Sequence, residues 1–190
     1  MKLLTYAGLP SGVINFVPFR SKHADVLLKH PDFAGLHFTG SYETLVKLWM
    51  DIAKYIPKYK NFPRIVGETG GKDFIFVHHS ADVRHAAMNI IRGGFESQGQ
   101  KCSAASRIYI PKSMWNAMKT LLKDELSKIT YGAVDDFHNF MGAVIDEDAF
   151  NKVVSYIRYA QSNPDYEIIS GGTYDKTKGW FVAPTLIKTN

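Results

Sequence analysis

The sequence predicts an α/β fold with parallel strands, on three observations. Short runs rich in Val, Ile and Phe, bounded by Gly and Pro, alternate with longer stretches whose apolar residues repeat at the helical period. Such alternation sends each strand in the direction of the last, because the intervening helix carries the chain back along the sheet face. Composition fits a buried core. Hydrophobic residues make up 45% and charged residues 22%, no internal repeat or low-complexity tract is visible, and 190 residues suffice for one core or two small ones.

The elements follow in order. Gly12-Val13-Ile14-Asn15-Phe16-Val17-Pro18, after Gly8-Leu9-Pro10-Ser11, reads as a short buried strand. Residues 21–30 read as a short helix and 34–38 as the next strand. Residues 41–56 form a helix with Leu45, Leu48, Trp49, Ile52, Ala53 and Ile56 on one inner face. Ser41 is its N-cap, and Glu43 lies in the first turn against the positive dipole end. Residues 64–67 form a strand leading into Glu68, and 74–77 another buried strand. Residues 81–95 form a helix burying Val83, Ala86, Ala87, Ile90, Ile91 and Phe95. A Gly/Ser/Gln-rich loop follows, then a strand over 107–110. Residues 113–129 form a helix capped by Ser113, with Met114, Met118, Leu121, Leu122 and Leu126 inside. Asp146 caps a further helix that carries Phe150, Val153, Val154 and Ile157.

Bulk properties exclude several functions. No stretch approaches the roughly 18 apolar residues of a membrane span. Met1-Lys2-Leu3-Leu4-Thr5-Tyr6-Ala7-Gly8 is neither a secretory signal nor an Arg-rich, Ser-rich presequence. The single cysteine rules out a disulfide framework or a four-cysteine zinc site, and fits a reducing compartment. His78-His79 is set aside as a metal pair, since neighbours on a strand face opposite ways. Asp135-Asp136 reads as part of a solvated loop. The net charge of +5 can favour anionic ligands or be a general surface excess; the basic residues are too dispersed for a nucleic-acid surface.

Chemistry concentrates in two strings, Gly67-Glu68-Thr69-Gly70-Gly71-Lys72 and Gly99-Gln100-Lys101-Cys102-Ser103-Ala104. Cys102, between Lys101 and small residues, can sit at an accessible, electropositive bend, or be a small buried hydrophobe. Glu68, closed off by a Gly-Gly turn, can serve as a base or stand as a solvated strand-end carboxylate. Thiol and base together are what covalent catalysis on a carbonyl requires. Phe38-Thr39-Gly40-Ser41 joins a strand to a helix start, a geometry that suits a pyrophosphate; Ser41 can equally be a plain cap. The dinucleotide fingerprint G-x-G-x-x-G is missing from the sequence.

These strings, F-T-G-S at 38–41, E-x-G-G-K at 68–72 and G-Q-x-C at 99–102, resemble the motifs of the aldehyde dehydrogenase superfamily, in that family's order and through nearly the whole chain. With Pro63-Arg64 and Phe181-Val182-Ala183-Pro184 they are most similar to its Δ1-pyrroline-5-carboxylate dehydrogenase branch. The resemblance implies the later part of a Rossmann-like NAD-binding domain over residues 1–67 and most of an α/β catalytic domain over 68–190. It implies Cys102 as nucleophile and Glu68 as general base, a role served by a raised pKa. It further implies Thr39, Gly40, Ser41 and Gly70 at the NAD site and Ser103 at the substrate's α-carboxylate. Asp73 departs from the family's usual asparagine.

The implied reaction is NAD-dependent oxidation of L-glutamate γ-semialdehyde to L-glutamate through a thioester, in proline catabolism. The implied partners are a small aldehyde and further copies of the parent chain, with no nucleic acid and no membrane. The implied site is the mitochondrial matrix in a eukaryote and the cytoplasm otherwise. Family members extend beyond both ends of this stretch, so the resemblance is to an internal fragment. It would lack the oxyanion-hole asparagine, the adenosine-ribose lysine and the E-x-F-G-P segment. Two alternatives stand beside this reading: another aldehyde specificity, and a catalytically incomplete interaction or structural module.

Overall fold

Two parallel strand pairs organise the chain in a computed structural model, which describes residues 1–189. They fall in separate units, Met1–Thr69 and Gly70–Asn190.

The first unit opens with an exposed helix, α1 (Lys2–Tyr6). A 3₁₀ turn at Ser21–His23 runs into α2 (Ala24–Leu28), followed by β1 (Gly35–Gly40), α3 (Tyr42–Tyr55) and β2 (Arg64–Thr69). The two strands pair in parallel from Gly35↔Arg64 to Gly40↔Thr69, with α3 as the crossover. Leu28, Leu45 and Ile52 are its buried apolar residues, and the Tyr59 hydroxyl donates to the Leu28 carbonyl at 2.6 Å. Gly67 has a packing reason: a Cβ there would run into the Leu45 side chain, so glycine lets α3 close onto β2 one residue before Glu68.

Two expectations fail in this unit. Residues 12–18 form turns and irregular chain, not a strand, and Phe16 is 79% exposed. Gly12 takes φ 86° and Asn15 Nδ2 donates back to its carbonyl at 3.0 Å, which curls the segment locally. An apolar run stays extended only where a neighbouring strand satisfies its backbone, and β1–β2 takes up no third strand. The inner face of α3 is also narrower than its six-residue stripe. Leu45 and Ile52 are buried while Trp49 is 54% exposed, because a two-stranded sheet covers little of a helix.

The second unit contains β3 (Asp73–Phe76), α4 (Val83–Phe95), β4 (Ala105–Tyr109), α5 (Lys112–Ser127), α6 (Glu147–Ser162), β5 (Tyr166–Ser170), β6 (Tyr174–Asp175), β7 (Phe181–Val182) and β8 (Leu186–Thr189). Strands β3 and β4 are parallel across the α4 crossover; β5–β8 and β6–β7 are antiparallel. Helix α4 starts at Asp82, whose side chain accepts from the His85 N–H at 2.7 Å. Asp146 caps α6 in the same way, accepting from the Ala149 N–H at 2.8 Å. Helix α5 begins one residue before the expected Ser113. Pro111 occupies its N-cap with no side-chain cap bond, and Ser113 falls inside the first turn.

The main core of this unit joins Val77, Ala87, Ile90 and Ile91 to Met114, Met118, Leu122 and Leu126, so the four-residue spacing along α5 faces α4. A second cluster gathers Val144, Phe150, Val154, Ile157 and Val182 under α6. Among the described residues no helix is long and apolar enough to cross a membrane.

Leu122 is 1% exposed at the centre of the main core and Val134 is 86% exposed. Leu122→Ala is expected to lower the unfolding free energy by about 2–5 kcal/mol, from lost burial and a residual cavity. Val134→Ala should stay within about 0.5 kcal/mol of the parent. Urea unfolding followed by circular dichroism measures both.

Candidate active site

In the first unit the β1–β2 register sets Thr39 beside Glu68 and Gly40 beside Thr69. The pairing continues past Gly67, so Glu68 lies within the strand where the sequence placed it just beyond the end; its side chain is exposed. Ser41 follows β1 and caps α3. Its Oγ accepts from the Thr44 N–H at 3.2 Å and shares a second bond with Thr44 Oγ1 at 2.8 Å. The first backbone N–H groups of a helix have no partner within it; with the Thr44 N–H taken by Ser41, exposed Thr39, Gly40 and Ser41 border the N–H groups of Tyr42 and Glu43 at the start of the 14-residue α3. Glu43 in the same turn opposes an anion there. Gly40 also has a structural reason, since the Phe38 ring fills the space a Cβ would need.

In the second unit Cys102 is free and exposed. Helix α4 ends at Phe95, and the backbone then passes through Ser97, Gln98 and Gly99, with φ of 54°, 59° and 66°. This left-handed run throws the chain back over the last turn of α4, where a Cβ on Gly99 would meet the Gly94 carbonyl at 2.8 Å. A tight turn over 101–104 follows, closed by the Ala104 N–H donating to the Lys101 carbonyl at 3.2 Å. Cys102 and Ser103 form its outer corner, and Ala104 is buried as the chain enters β4.

The Gly-Gly-Lys segment meets this turn. A Cβ on Gly71 would stand 2.7 Å from the Cys102 carbonyl oxygen, so only glycine lets the two backbones approach this closely. Arg107 fixes the arrangement from β4: its Nε and one Nη donate to the Lys72 carbonyl at 3.1 and 2.5 Å. The Ser106 hydroxyl donates to the Asp73 carbonyl at 3.4 Å. Gly70 meets nothing within 4 Å of its Cβ position, so its site is open.

The electropositive setting expected for Cys102 is altered. Lys101 Nζ is 2.9 Å from Glu96 Oε2, with Arg92 Nε at 3.9 Å from the same carboxylate. The hydrogen bond from Lys101, and then its charge, hold the Glu96 carboxyl below its ordinary range. With its amide oriented to satisfy both ends, Gln98 accepts from the Gly142 N–H and donates to the Ser97 carbonyl at 3.0 Å. Sequence reasoning missed Glu96, Gln98 and Arg107. Glu96 was findable as an opposite charge near Lys101; Arg107 was not, because its partner lies 35 positions away.

The histidine pair does not behave as strand neighbours. Its rings lie 3.9 Å apart at 47°, and His78 Nδ1 bonds the Ser80 hydroxyl at 2.8 Å. Strand β3 ends at Phe76, so alternation no longer applies there. Asp136 accepts from the His138 N–H at 3.0 Å within an exposed loop. Among the described residues no group of three or more His, Cys, Asp or Glu could hold a metal ion.

Residues 1–190 match the model of the Aldehyde dehydrogenase family. The mitochondrial Delta-1-pyrroline-5-carboxylate dehydrogenase of Dictyostelium discoideum is 48% identical, over 98% of this chain and 34% of that protein. The protein of that name from Danio rerio is 45% identical, over 99% of this chain and 34% of its own length. A crystal structure of the Delta-pyrroline-5-carboxylate dehydrogenase from Mycobacterium tuberculosis bound with NAD superimposes with a TM-score of 0.94 at 43% identity, covering 99% of this chain and 35% of that one. The chain thus spans about a third of the length of the relatives it matches.

Two outcomes follow from the geometry. Gly71→Ala must displace the turn from the Cys102 carbonyl and is expected to cost about 1–3 kcal/mol, while Gly70→Ala, with open space, stays within about 0.5 kcal/mol; thermal melting compares them. The second concerns acid. Because the folded-state pKa of Glu96 is lowered, its bridge favours the folded state above the ordinary carboxylate range and loses that effect as pH falls through the lowered value. The stability difference between the parent and Glu96→Gln should therefore be present at neutral pH and vanish in acid, measured as paired urea midpoints across pH.

Proposed function

The chain belongs to the aldehyde dehydrogenase family, and from that premise we propose that it carries the nucleophile and general base for NAD-dependent oxidation of L-glutamate γ-semialdehyde, the opened form of Δ1-pyrroline-5-carboxylate, to L-glutamate in proline catabolism. One observation carries the reading: the Gly70-Gly71-Lys72 turn packs on the backbone carbonyl of an exposed Cys102. The names of the relatives support the substrate and, for the eukaryotic ones, a mitochondrial place of action.

The roles are assigned residue by residue. The Cys102 thiolate attacks the aldehyde carbon; a C–S bond forms and the carbonyl electron pair moves onto oxygen. The Cys102 backbone N–H donates to that oxyanion. Thr39, Gly40, Ser41 and Gly70 hold NAD, which supplies the two-electron acceptor needed to bring the carbon to the carboxylic level. Cys102 is left acylated as a thioester. Glu68 takes a proton from water, the resulting hydroxide attacks the acyl carbon, the C–S bond breaks, and Cys102 departs as thiolate. Exposure keeps Glu68 in reach of water. Ser103, beside the nucleophile on the same outer corner, donates its hydroxyl to the substrate's α-carboxylate.

The test is a graft, with this chain replacing the matching third of the Mycobacterium tuberculosis enzyme. The chimera should form NADH from glutamate semialdehyde. Cys102→Ala should lower the rate by about 10³-fold or more. Ser103→Ala should raise KM for this substrate by roughly 5- to 100-fold and affect simple aliphatic aldehydes much less. A folded chimera whose activity survives Cys102→Ala, or which prefers simple aldehydes, would overturn the proposal.

A further inference from the structure

The loop that carries Cys102 is bridged by an ion pair that the reaction proposed above does not use. Glu96 Oε2 stands 2.9 Å from Lys101 Nζ, and the backbone between them contains the left-handed run Ser97-Gln98-Gly99. Lys101 is the residue next to Cys102. An unpaired ammonium in that position favours the thiolate, which is the reactive form of a cysteine. Glu96 draws the charge back across the loop, and Arg92 approaches the same carboxylate at 3.9 Å. Other charged side chains on segments packed against this loop are Lys72 and Asp73, on the turn whose Gly71 abuts the Cys102 carbonyl, and Arg107 on β4. The Arg107 guanidinium is committed to the Lys72 carbonyl. Among these cations Lys101 is the one that adjoins Cys102 in the chain and is held by a carboxylate, so its charge is the one that Glu96 can withhold or release.

We propose that Glu96 is a positioning residue for the nucleophile: by holding the Lys101 ammonium across the left-handed run, it sets the reactivity of Cys102 and with it the rate of C–S bond formation. The proposal rests on the reading of Cys102 as nucleophile. It concerns charge, and charge makes an ordered claim that a merely structural role does not. Relative to the parent, removing Glu96 adds one positive charge, removing Lys101 subtracts one, and removing both returns the parent's net charge, with Arg92 present throughout.

The experiment is alkylation of the purified 190-residue chain by iodoacetamide at one pH near neutrality; an S–C bond forms and iodide leaves. Cys102 is the sole cysteine, so the rate reads this thiol alone. Glu96→Gln should react about threefold faster than the parent, Lys101→Gln about threefold slower, and the double variant at close to the parent rate, in keeping with a partly exposed pair. The spread should shrink at high salt. Far-UV circular dichroism confirms folding of each variant. Should Glu96→Gln fail to fold, Lys101→Arg decides: it keeps the charge and should keep the parent rate, while Lys101→Gln loses it. Single substitutions that shift the rate in the same direction, a double variant that does not return, or Lys101→Arg falling with Lys101→Gln would each overturn the proposal. Alkylation needs neither aldehyde nor NAD, so this order can fail while the dehydrogenase reading stands, and the reverse.

Discussion

The parallel pairing of β3 with β4 is the constraint on which the surroundings of Cys102 depend. Each of the two chemical strings immediately precedes one of these strands: the Gly-Gly-Lys turn enters β3, and the cysteine turn enters β4. In a parallel pair both strand starts lie at the same end of the sheet. The register beginning at Asp73↔Ala105 therefore brings together two turns that the sequence holds apart. What makes the pairing parallel is the α4 crossover, and what holds α4 on the sheet is the core of Val77, Ala87, Ile90 and Ile91 against α5. The position of the thiol is thus inherited from apolar burial some distance away. Arg107 adds direction, because its fork clamps the Lys72 carbonyl at the point where the two turns meet.

The first unit uses the opposite end of its sheet. Thr39, Gly40 and Glu68 lie at the carboxyl ends of β1 and β2, where open α/β sheets present their ligand crevices. Here too a glycine decides the fit: Gly67 admits Leu45, so α3 lies close over the strand that carries Glu68. The N-terminal donors of α3 and the adjacent Glu68 carboxylate come from a single crossover motif, so one short stretch of sequence supplies both groups that the proposed function assigns to cofactor and base.

Much of this was legible in sequence because it is local. Periodicity marked α3 to α6, since four-residue spacing such as Met114, Met118, Leu122 and Leu126 reflects one buried stripe. Caps at Ser41 and Asp146 were readable because a short polar side chain answers an N–H three residues on. Residues 12–18 were misread because an apolar run carries no record of whether a partner strand exists. Strands β5 to β8 went unassigned because they are short and pair antiparallel across turns, with little alternation to detect. In the site, Cys102 and its exposure were legible from its small neighbours, whereas the neutralisation of Lys101 by Glu96 depends on a backbone reversal through Ser97 and Gln98. Neither residue type signals a left-handed conformation.

Magnitudes separate what holds that reversal from what tunes it. Two non-glycine residues in the left-handed region cost about 1–2 kcal/mol each. An exposed ion pair is screened by solvent and contributes little, so the Glu96–Lys101 bridge is too weak to sustain the loop. The stronger anchors are the buried end of α4 at Ile90 and Ile91, the bond between Gln98 and the Gly142 N–H, and Ala104 sinking into the sheet at the start of β4. A loop fixed by its two ends leaves the ion pair between them free to change partners without loss of fold. For the proposed nucleophile that arrangement would have a use: the geometry of the turn rests on burial, while the charge beside it rests on an exposed contact that solvent, salt or a bound anion can reach.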